Sequence, residues 1–276
     1  MNDYLEILRS RISAPEDVST IGSVISQIAK DRGALREFLR AYLSLYTVAT
    51  ERRSLHAAGN FISLIPDEIA RKGSLIFDFG VSLHQPSDVQ PITSLSAYTS
   101  LTSINDTFHI DFYAISKEWD PEIFDPSIEL TRSRTEVLQE CAVLSLTPAN
   151  EACQFRFNSP TLILKVQSKS VVPFEWSFDE LTKKAWQCVP AALLDSNAEY
   201  SCVRAQALRD NSLAPELESM LEHPRHFVRW AAARALGMLS FEQGVLALKR
   251  LESDPHPHVA RAASRALKNS NLTIRS

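Results

Sequence analysis

Apolar positions along the chain fall into three regimes. In the first sixty residues they recur at helical spacing: Tyr4, Leu5, Leu8 and Ile12, then Val18, Ile21, Val24, Ile25 and Ile28, then Leu35, Phe38, Leu39, Tyr42, Leu43 and Tyr46. Ser13-Ala14-Pro15-Glu16 ends the first stripe and restarts the second, with proline and acid in a first turn, and Gly33 separates the second from the third. From about Phe61 the apolar runs shorten and become β-rich: Leu75 to Phe79, Phe108 to Ile115, Glu136 to Leu138, Val143 to Leu146, Cys153 to Phe157 and Thr161 to Val166. Asn105-Asp106, Thr147-Pro148-Ala149-Asn150 and Asn158-Ser159-Pro160 separate them as turns. Many short strands at this spacing predict an antiparallel sandwich or small barrel reaching to about Trp176. From about Phe178 helical spacing returns.

The last regime contains an internal repeat. The segment from His223 to Leu236 can be laid on the segment from Asp254 to Leu267 at an offset of 31 residues. Val228 and Val259, Ala232 and Ala263, Arg234 and Arg265, Ala235 and Ala266, and Leu236 and Leu267 then coincide. Val203-Arg204-Ala205-Gln206-Ala207-Leu208 is a weaker copy. Small alanines let neighbouring helices approach, while valine and leucine fill a shared core that one unit alone could not bury. This pattern, over roughly residues 195 to 270, resembles bacterial HEAT repeats. The resemblance implies a short α-solenoid of the kind that binds other macromolecules. It also implies that an arginine of each unit bonds a neighbouring turn, with Asp254 or Asp210 as its partner.

The order of strands from Leu75 to Val166 resembles a cupin of the cysteine-dioxygenase-like branch. Gln90-Pro91-Ile92-Thr93-Ser94-Leu95 stands where that branch has a proline and an H-x-H pair. Val137 to Pro148 runs parallel to its glycine-aspartate turn and following strand, and Asn150 to Gln154 occupies the place of the third ligand histidine. The resemblance implies a jelly roll whose ligand positions are Thr93, Leu95 and Cys153. A mononuclear iron site needs imidazole or carboxylate groups converging on one point. Thr93 and Leu95 supply neither, so the expectation is a cupin-like domain that holds no metal. Cys141 replaces the turn glycine, and no glycine occurs between Gly80 and Gly237.

Composition sharpens this picture in a few places. The chain has 276 residues, 45% hydrophobic and 22% charged, an ordinary globular balance with room for more than one core. No apolar run is long enough to span a membrane, and the first residues do not read as a secretion signal. Cys141, Cys153, Cys188 and Cys202 form no C-x-x-C pair and are expected to be reduced thiols in a cytoplasmic protein. The net charge of −4 is unevenly spread: from His223 onward nine Lys/Arg face three Asp/Glu, leaving the rest of the chain at −10. Arg225, Arg229, Arg234, Arg261 and Arg265 are therefore candidate contacts for an acidic protein partner. His223, His226, His256 and His258 cluster at the two equivalent turns, where an exposed edge is expected. His109 is expected to share a face with Asp111 only through irregular pairing. His84, Asp88, His109 and Asp111 form a remote alternative site. Trp119, Phe124, Phe174, Trp176 and Trp186 are read as sealing a core or a seam. No nucleophile elbow, zinc-protease helix or phosphate loop is present.

The reading is α+β: N-terminal helices over residues 1–60, a central antiparallel β-sandwich of cupin-like jelly-roll type over 61–178, and a C-terminal α-solenoid of HEAT repeats over 179–276. The expected role is a non-catalytic adaptor or regulatory protein without cofactor, nucleic acid or membrane. A metal-dependent oxygenase-like enzyme and a small-molecule sensor using the cupin cavity stand as alternatives.

Overall fold

The computed structural model describes residues 2–37, 39–40, 61–65, 75–86, 90–115, 119–148 and 151–273. Phe38, Tyr42, Leu43 and Tyr46 of the third stripe, Asp88 and the Ala149-Asn150 turn lie outside the described residues. The chain divides into two compact units, Met1–Val189 and Pro190–Ser276. The first unites the expected N-terminal helices with the sandwich.

Its strands are β1 (Phe61–Ser63), β2 (Phe77–His84), β3 (Ile92–Ser94), β4 (Thr99–Ser103), β5 (Phe108–Ile115), β6 (Leu130–Leu138), β7 (Val143–Leu146), β8 (Glu151–Phe157), β9 (Thr161–Ser168), β10 (Phe174–Phe178) and β11 (Ala185–Pro190). One sheet has the order β1-β2-β9-β4-β7, the other β11-β10-β3-β8-β5-β6. The eight strands β2 to β9 thus divide between a β2-β9-β4-β7 sheet and a β3-β8-β5-β6 sheet, crossing from one to the other at every step except the β5–β6 hairpin, which is the connectivity of a jelly roll. The sheet region outruns its expected end at residue 178. Strand β11 carries it to Pro190, and helix resumes only at Leu193. Ala185-Trp186-Gln187-Cys188-Val189 is too short and too β-prone to begin a helix.

The N-terminal segment forms α1 (Asn2–Arg11), a 3-10 turn over Pro15–Thr20 and α2 (Gly22–Lys30). Pro15 opens the turn, and Asp17 Oδ2 accepts the backbone N–H groups of Ser13 and Ala14 at 2.8 and 2.9 Å. Val18, Ile25 and Ile28 bury against Phe79, Leu164 and Val166 of the first sheet. Hydroxyls pin the cover in place. Ser100 donates to the carbonyl of Val18 at 2.6 Å, Ser145 to that of Ser19 at 3.1 Å, and Ser26 to that of Cys141 at 2.9 Å. Cys141 has φ 58°, so the turn keeps the left-handed backbone that favours glycine while holding a thiol.

The second sheet is covered differently. Trp176 is fully buried, stands edge-on to Trp119 at 4.7 Å, tilts against Phe124 at 5.1 Å and donates its indole N–H to the Pro121 carbonyl at 3.0 Å. Trp186, grouped with them in the sequence, is instead exposed.

The second unit contains α3 (Leu193–Leu208), α4 (Ala214–Met220), α5 (His226–Leu239), α6 (Phe241–Leu251) and α7 (Pro257–Thr273). The repeat register is the burial register: Val228, Ala232 and Leu236 on α5 and Val259, Ala263 and Leu267 on α7 are all buried. The weaker copy departs from it. Leu208 is 71% exposed where its counterpart Leu236 is 1% exposed, and α3 turns Cys202 and Ala205 to the core instead. The first helix has no preceding repeat in the unit, so its valine and leucine lack the neighbour that buries them elsewhere.

Candidate functional site

Two places in the molecule carry the candidate residues, the interior of the sandwich and the arginine set of the helical unit.

Thr93 on β3 pairs directly with Cys153 on β8, so these two expected ligand positions do meet. Directly opposed residues of an antiparallel pair point to the same face. Cys153 and the adjacent Leu95 pack with Phe108, Phe112 and Ile163 in the core between the sheets, which fixes that face as the interior. The donor set there does not suit a metal. Leu95 offers no donor atom. Burial, with Glu175 and Glu151 nearby, pushes the Cys153 thiol up to about 12, so it stays protonated where a ligand must be a thiolate. The iron centre that a cupin implies has no residues to hold it at these positions.

The same interior contains a pair that sequence reasoning missed. Lys165 on β9 lies opposite Leu101 on β4 and opposite Gly80 on β2. Leu101 belongs to the inner core, so Lys165 points inward, as does Ile163 two residues before it. From the second sheet, Ser177 on β10 pairs with Thr93, which places Glu175, two residues earlier, on the inner face as well. The Ser96 hydroxyl donates to Glu175 Oε2 at 3.4 Å. Burial lowers the Lys165 ammonium below its ordinary range against the attraction of Asp78 and Glu175. It raises Glu175 against the Ser96 hydrogen bond and the Lys165 charge. Both groups keep partial solvent access. The inner face therefore carries an amine, a carboxyl and a neutral thiol beside the apolar Leu101, Phe112 and Ile163.

The remote alternative site does not assemble. Regular pairing over 108–112 puts His109 and Asp111 together on the outer face, without the irregularity expected; the one register shift falls later, between Phe112 and Tyr113. Residues two apart on a strand always share a face. His84 is elsewhere, stacked on Phe157 at 4.6 Å. Asp111 is 3% exposed and bonded by Arg132, by Thr135 at 2.6 Å and by Arg156 at 2.8 Å. Burial raises its carboxyl, but these bonds and charges outweigh it and leave the group below the usual range. A cleft of about 480 Å³ beside it is lined by Gln90, His109, Gln154, Arg156, Asn158 and Glu180 among others.

In the helical unit the five arginines divide. Arg229 is 9% exposed. Its Nε and Nη2 grip Asp254 Oδ2 and Oδ1 at 2.7 and 2.6 Å, and its Nη1 donates to the carbonyls of His223 and Pro224 at 2.8 and 3.0 Å. One guanidinium thus ties its own turn to that of the next repeat. Asp254, rather than Asp210, is the partner; Asp210 accepts the backbone N–H of Ser212 instead. Arg225 is also internal, donating to Asp195 at 2.7 Å. Arg234, Arg261 and Arg265 are exposed.

The turn histidines do gather. His226 and His256 stack at 3.6 Å and 6°, with His258 edge-on to His256 at 5.6 Å. His226 and His256 are half-buried rather than on an open edge.

Residues 214–272 match the HEAT repeats family. No curated protein matches the sequence. Solved structures similar to part of the chain include hydroquinone 1,2-dioxygenase from Sphingomonas sp. TTNP3 with 4-hydroxybenzoate bound, at 11% identity, 43% of this chain, 71% of that chain and TM-score 0.32. An RmlC-like cupin protein from Ralstonia eutropha JMP134 aligns at 5% identity, 46% of this chain, 67% of that one and TM-score 0.27. Hydroquinone 1,2-dioxygenase PnpCD, in complex with Cd2+ and 4-hydroxybenzonitrile, aligns at 15% identity, 34% of this chain and TM-score 0.25; the chain spans 59% of its length. The first unit is thus a jelly-roll sandwich by its own strand order, and residues 214–272 of the second match HEAT repeats.

Proposed function

We propose that the protein is a non-catalytic adaptor or regulatory protein whose HEAT unit docks an acidic segment of a protein partner. The observation that carries this reading is the division among the arginines. Arg225 and Arg229 are consumed by the fold, while Arg234 and Arg265, at equivalent positions of successive repeats, stay exposed together with Arg261. Spaced guanidinium groups suit carboxylates on an extended acidic segment. The excess of basic residues from His223 onward supports the same partner chemistry. The absence of metal-suited donors at Thr93, Leu95 and Cys153 supports the non-catalytic part.

The test is a triple reversal, Arg234→Glu, Arg261→Glu and Arg265→Glu, in the full chain. Binding of a labelled glutamate-rich peptide is followed by fluorescence anisotropy, and partner recovery by pull-down against the wild type. Loss of both with an unchanged thermal midpoint is expected. Unchanged recovery, or tighter binding of duplex DNA than of the peptide by the wild type, overturns the docking assignment. Stoichiometric iron retained through dialysis overturns the non-catalytic one.

A further inference from the structure

We infer that the cleft on the outer face of the second sheet binds a neutral saccharide, whose hydroxyls are held by His109, Gln154, Arg156, Asn158 and Glu180. Strand register sets its floor. Arg156 on β8 lies directly opposite His109 on β5, and Gln154 lies directly opposite Asp111. Opposed residues share a face. These four therefore stand on the side away from the Cys153 core, and Asn158 follows just past the strand end. Same-face neighbours along a strand are about 6.5 Å apart, so Gln154 and Arg156 present polar groups at a spacing that a ring-sized ligand spans. The cleft has a volume of about 480 Å³. Small-molecule sites run from roughly 300 to 1,000 Å³ and are mostly apolar. This one differs in lining: Phe155 and Phe157 border it, but their rings belong to the inner core. A polar lining calls for a ligand covered in polar groups.

The hydrogen-bonding capacity that the fold leaves over selects the chemistry. Arg156 pairs with Asp111 through Nη2 at 2.8 Å, and its Nε and Nη1 bond nothing among the described residues. The side chains of His109, Asn158 and Glu180 make no hydrogen bond or ion pair among the described residues. Gln154, 6% exposed, donates one amide N–H to the Gln90 carbonyl at 2.9 Å and keeps a second. The spare groups are thus donors on Arg156, Gln154 and Asn158 and acceptors on Glu180 and Asn158. A hydroxyl donates and accepts at one atom, and neighbouring ring hydroxyls match the paired atoms of a guanidinium, carboxamide or carboxylate. Charge argues the same way. Arg132 and Arg156 bring two positive charges, Asp111 and Glu180 two negative ones, so the sum is zero. An anion would find the guanidinium of the cleft already paired with Asp111. A zwitterion would use only Arg156 and Glu180 and leave the three uncharged side chains idle.

The experiment is saturation-transfer NMR on the full chain with glucose, galactose, mannose, maltose and lactose, each at millimolar concentration. Transfer to at least one of these sugars is expected. Asn158→Ala and Glu180→Ala, combined in one chain, are expected to weaken that binding about tenfold or more, since hydrogen bonds to a charged group are among the strong ones. Neither side chain bonds within the fold among the described residues, so the double variant is expected to melt with the wild type. A second readout needs only the wild type: the His109 ring-proton signal, identified by its loss in His109→Gln, is expected to shift as the sugar is titrated in. No transfer to any of the five sugars overturns the site. Transfer unchanged in the double variant, or a His109 signal that does not move, overturns its placement in the cleft. Acetate or glycine binding more tightly than every sugar overturns the assigned ligand class.

Discussion

Arg229 and Arg234 lie on the same helix, and the chain uses them differently. Removing Arg229 leaves Asp254 as an uncompensated charge whose side chain is 1% exposed. Arg229→Ala is therefore expected to destabilise the helical unit by about 3–5 kcal/mol. Arg234→Ala is expected to change stability by less than about 0.5 kcal/mol. Urea titration followed by circular dichroism measures both, and equal effects would refute the division of roles. The turn beside Arg229 also sets a pH dependence. Burial, then the neighbouring His256 and Arg229, lower His226 to about 4, with Asp254 opposing. Between pH 6.5 and 4 the unfolded chain binds the proton that folded His226 refuses. Stability from this group is thus complete above pH 6.5 and is lost as pH falls towards 4. His226→Gln is expected to flatten that part of the stability profile; an unchanged slope would remove His226 as its source. Of the Arg229–Asp254 tie only the acidic end was legible in the sequence, because the arginines that coincide in the repeat are Arg234 and Arg265, whereas the residue 31 positions after Arg229 is Ala260. The Lys165–Glu175 pair was not legible. Alternation along β9 separates Lys165 from Leu164, but both faces of that sheet are covered, one by helices and one by the second sheet, so alternation alone does not say which side is inside.

At the scale of elements, α5 and α6 approach each other closely at Gly237 and Gly244. A Cβ on Gly244 would lie 2.5 Å from the Gly237 Cα, whereas one on Gly237 would meet the Gly244 Cα at 3.7 Å, an ordinary contact. Both substitutions to alanine improve helix propensity by up to about 1 kcal/mol. Only Gly244→Ala forces backbones apart, and it is expected to destabilise by about 1–3 kcal/mol in net, while Gly237→Ala is neutral or stabilising. Thermal melts of the two variants decide it, and a stabilised Gly244→Ala would contradict this helix crossing. The two good repeats were readable because burial follows their register. The third copy misled because Val203 and Leu208 match the sequence pattern, yet burial needs a neighbouring repeat that α3 lacks on that side. Strand β11 was overlooked for a simpler reason: Ala185 to Pro190 is short and breaks strict alternation, with its burial set by tertiary pairing.

At the scale of the whole chain, the N-terminal helices were legible as helices but not as part of the sandwich, because the stripe Val18, Ile21, Ile25 and Ile28 says only that something apolar covers it. The structure supplies the cover: the outer face of the first sheet, with Phe79, Leu164 and Val166. Each of those four helix-side residues is essentially fully buried. At roughly 1.5–3 kcal/mol for each fully buried side chain, their packing is worth about 6–12 kcal/mol. That equals most of the 5–15 kcal/mol by which a typical domain is stable. Deletion of residues 1–30 also strips the Ser100, Ser145 and Ser26 hydroxyl bonds and leaves a jelly-roll face open to solvent. The truncated chain is expected to bind a hydrophobic dye, to lose the cooperative melt of its β-sheet signal and to aggregate at concentrations where the full chain stays monodisperse. A truncated protein that melts within about 4 °C of the full chain, a shift worth roughly 1 kcal/mol at this size, would show that the helices decorate the sheet rather than complete its core.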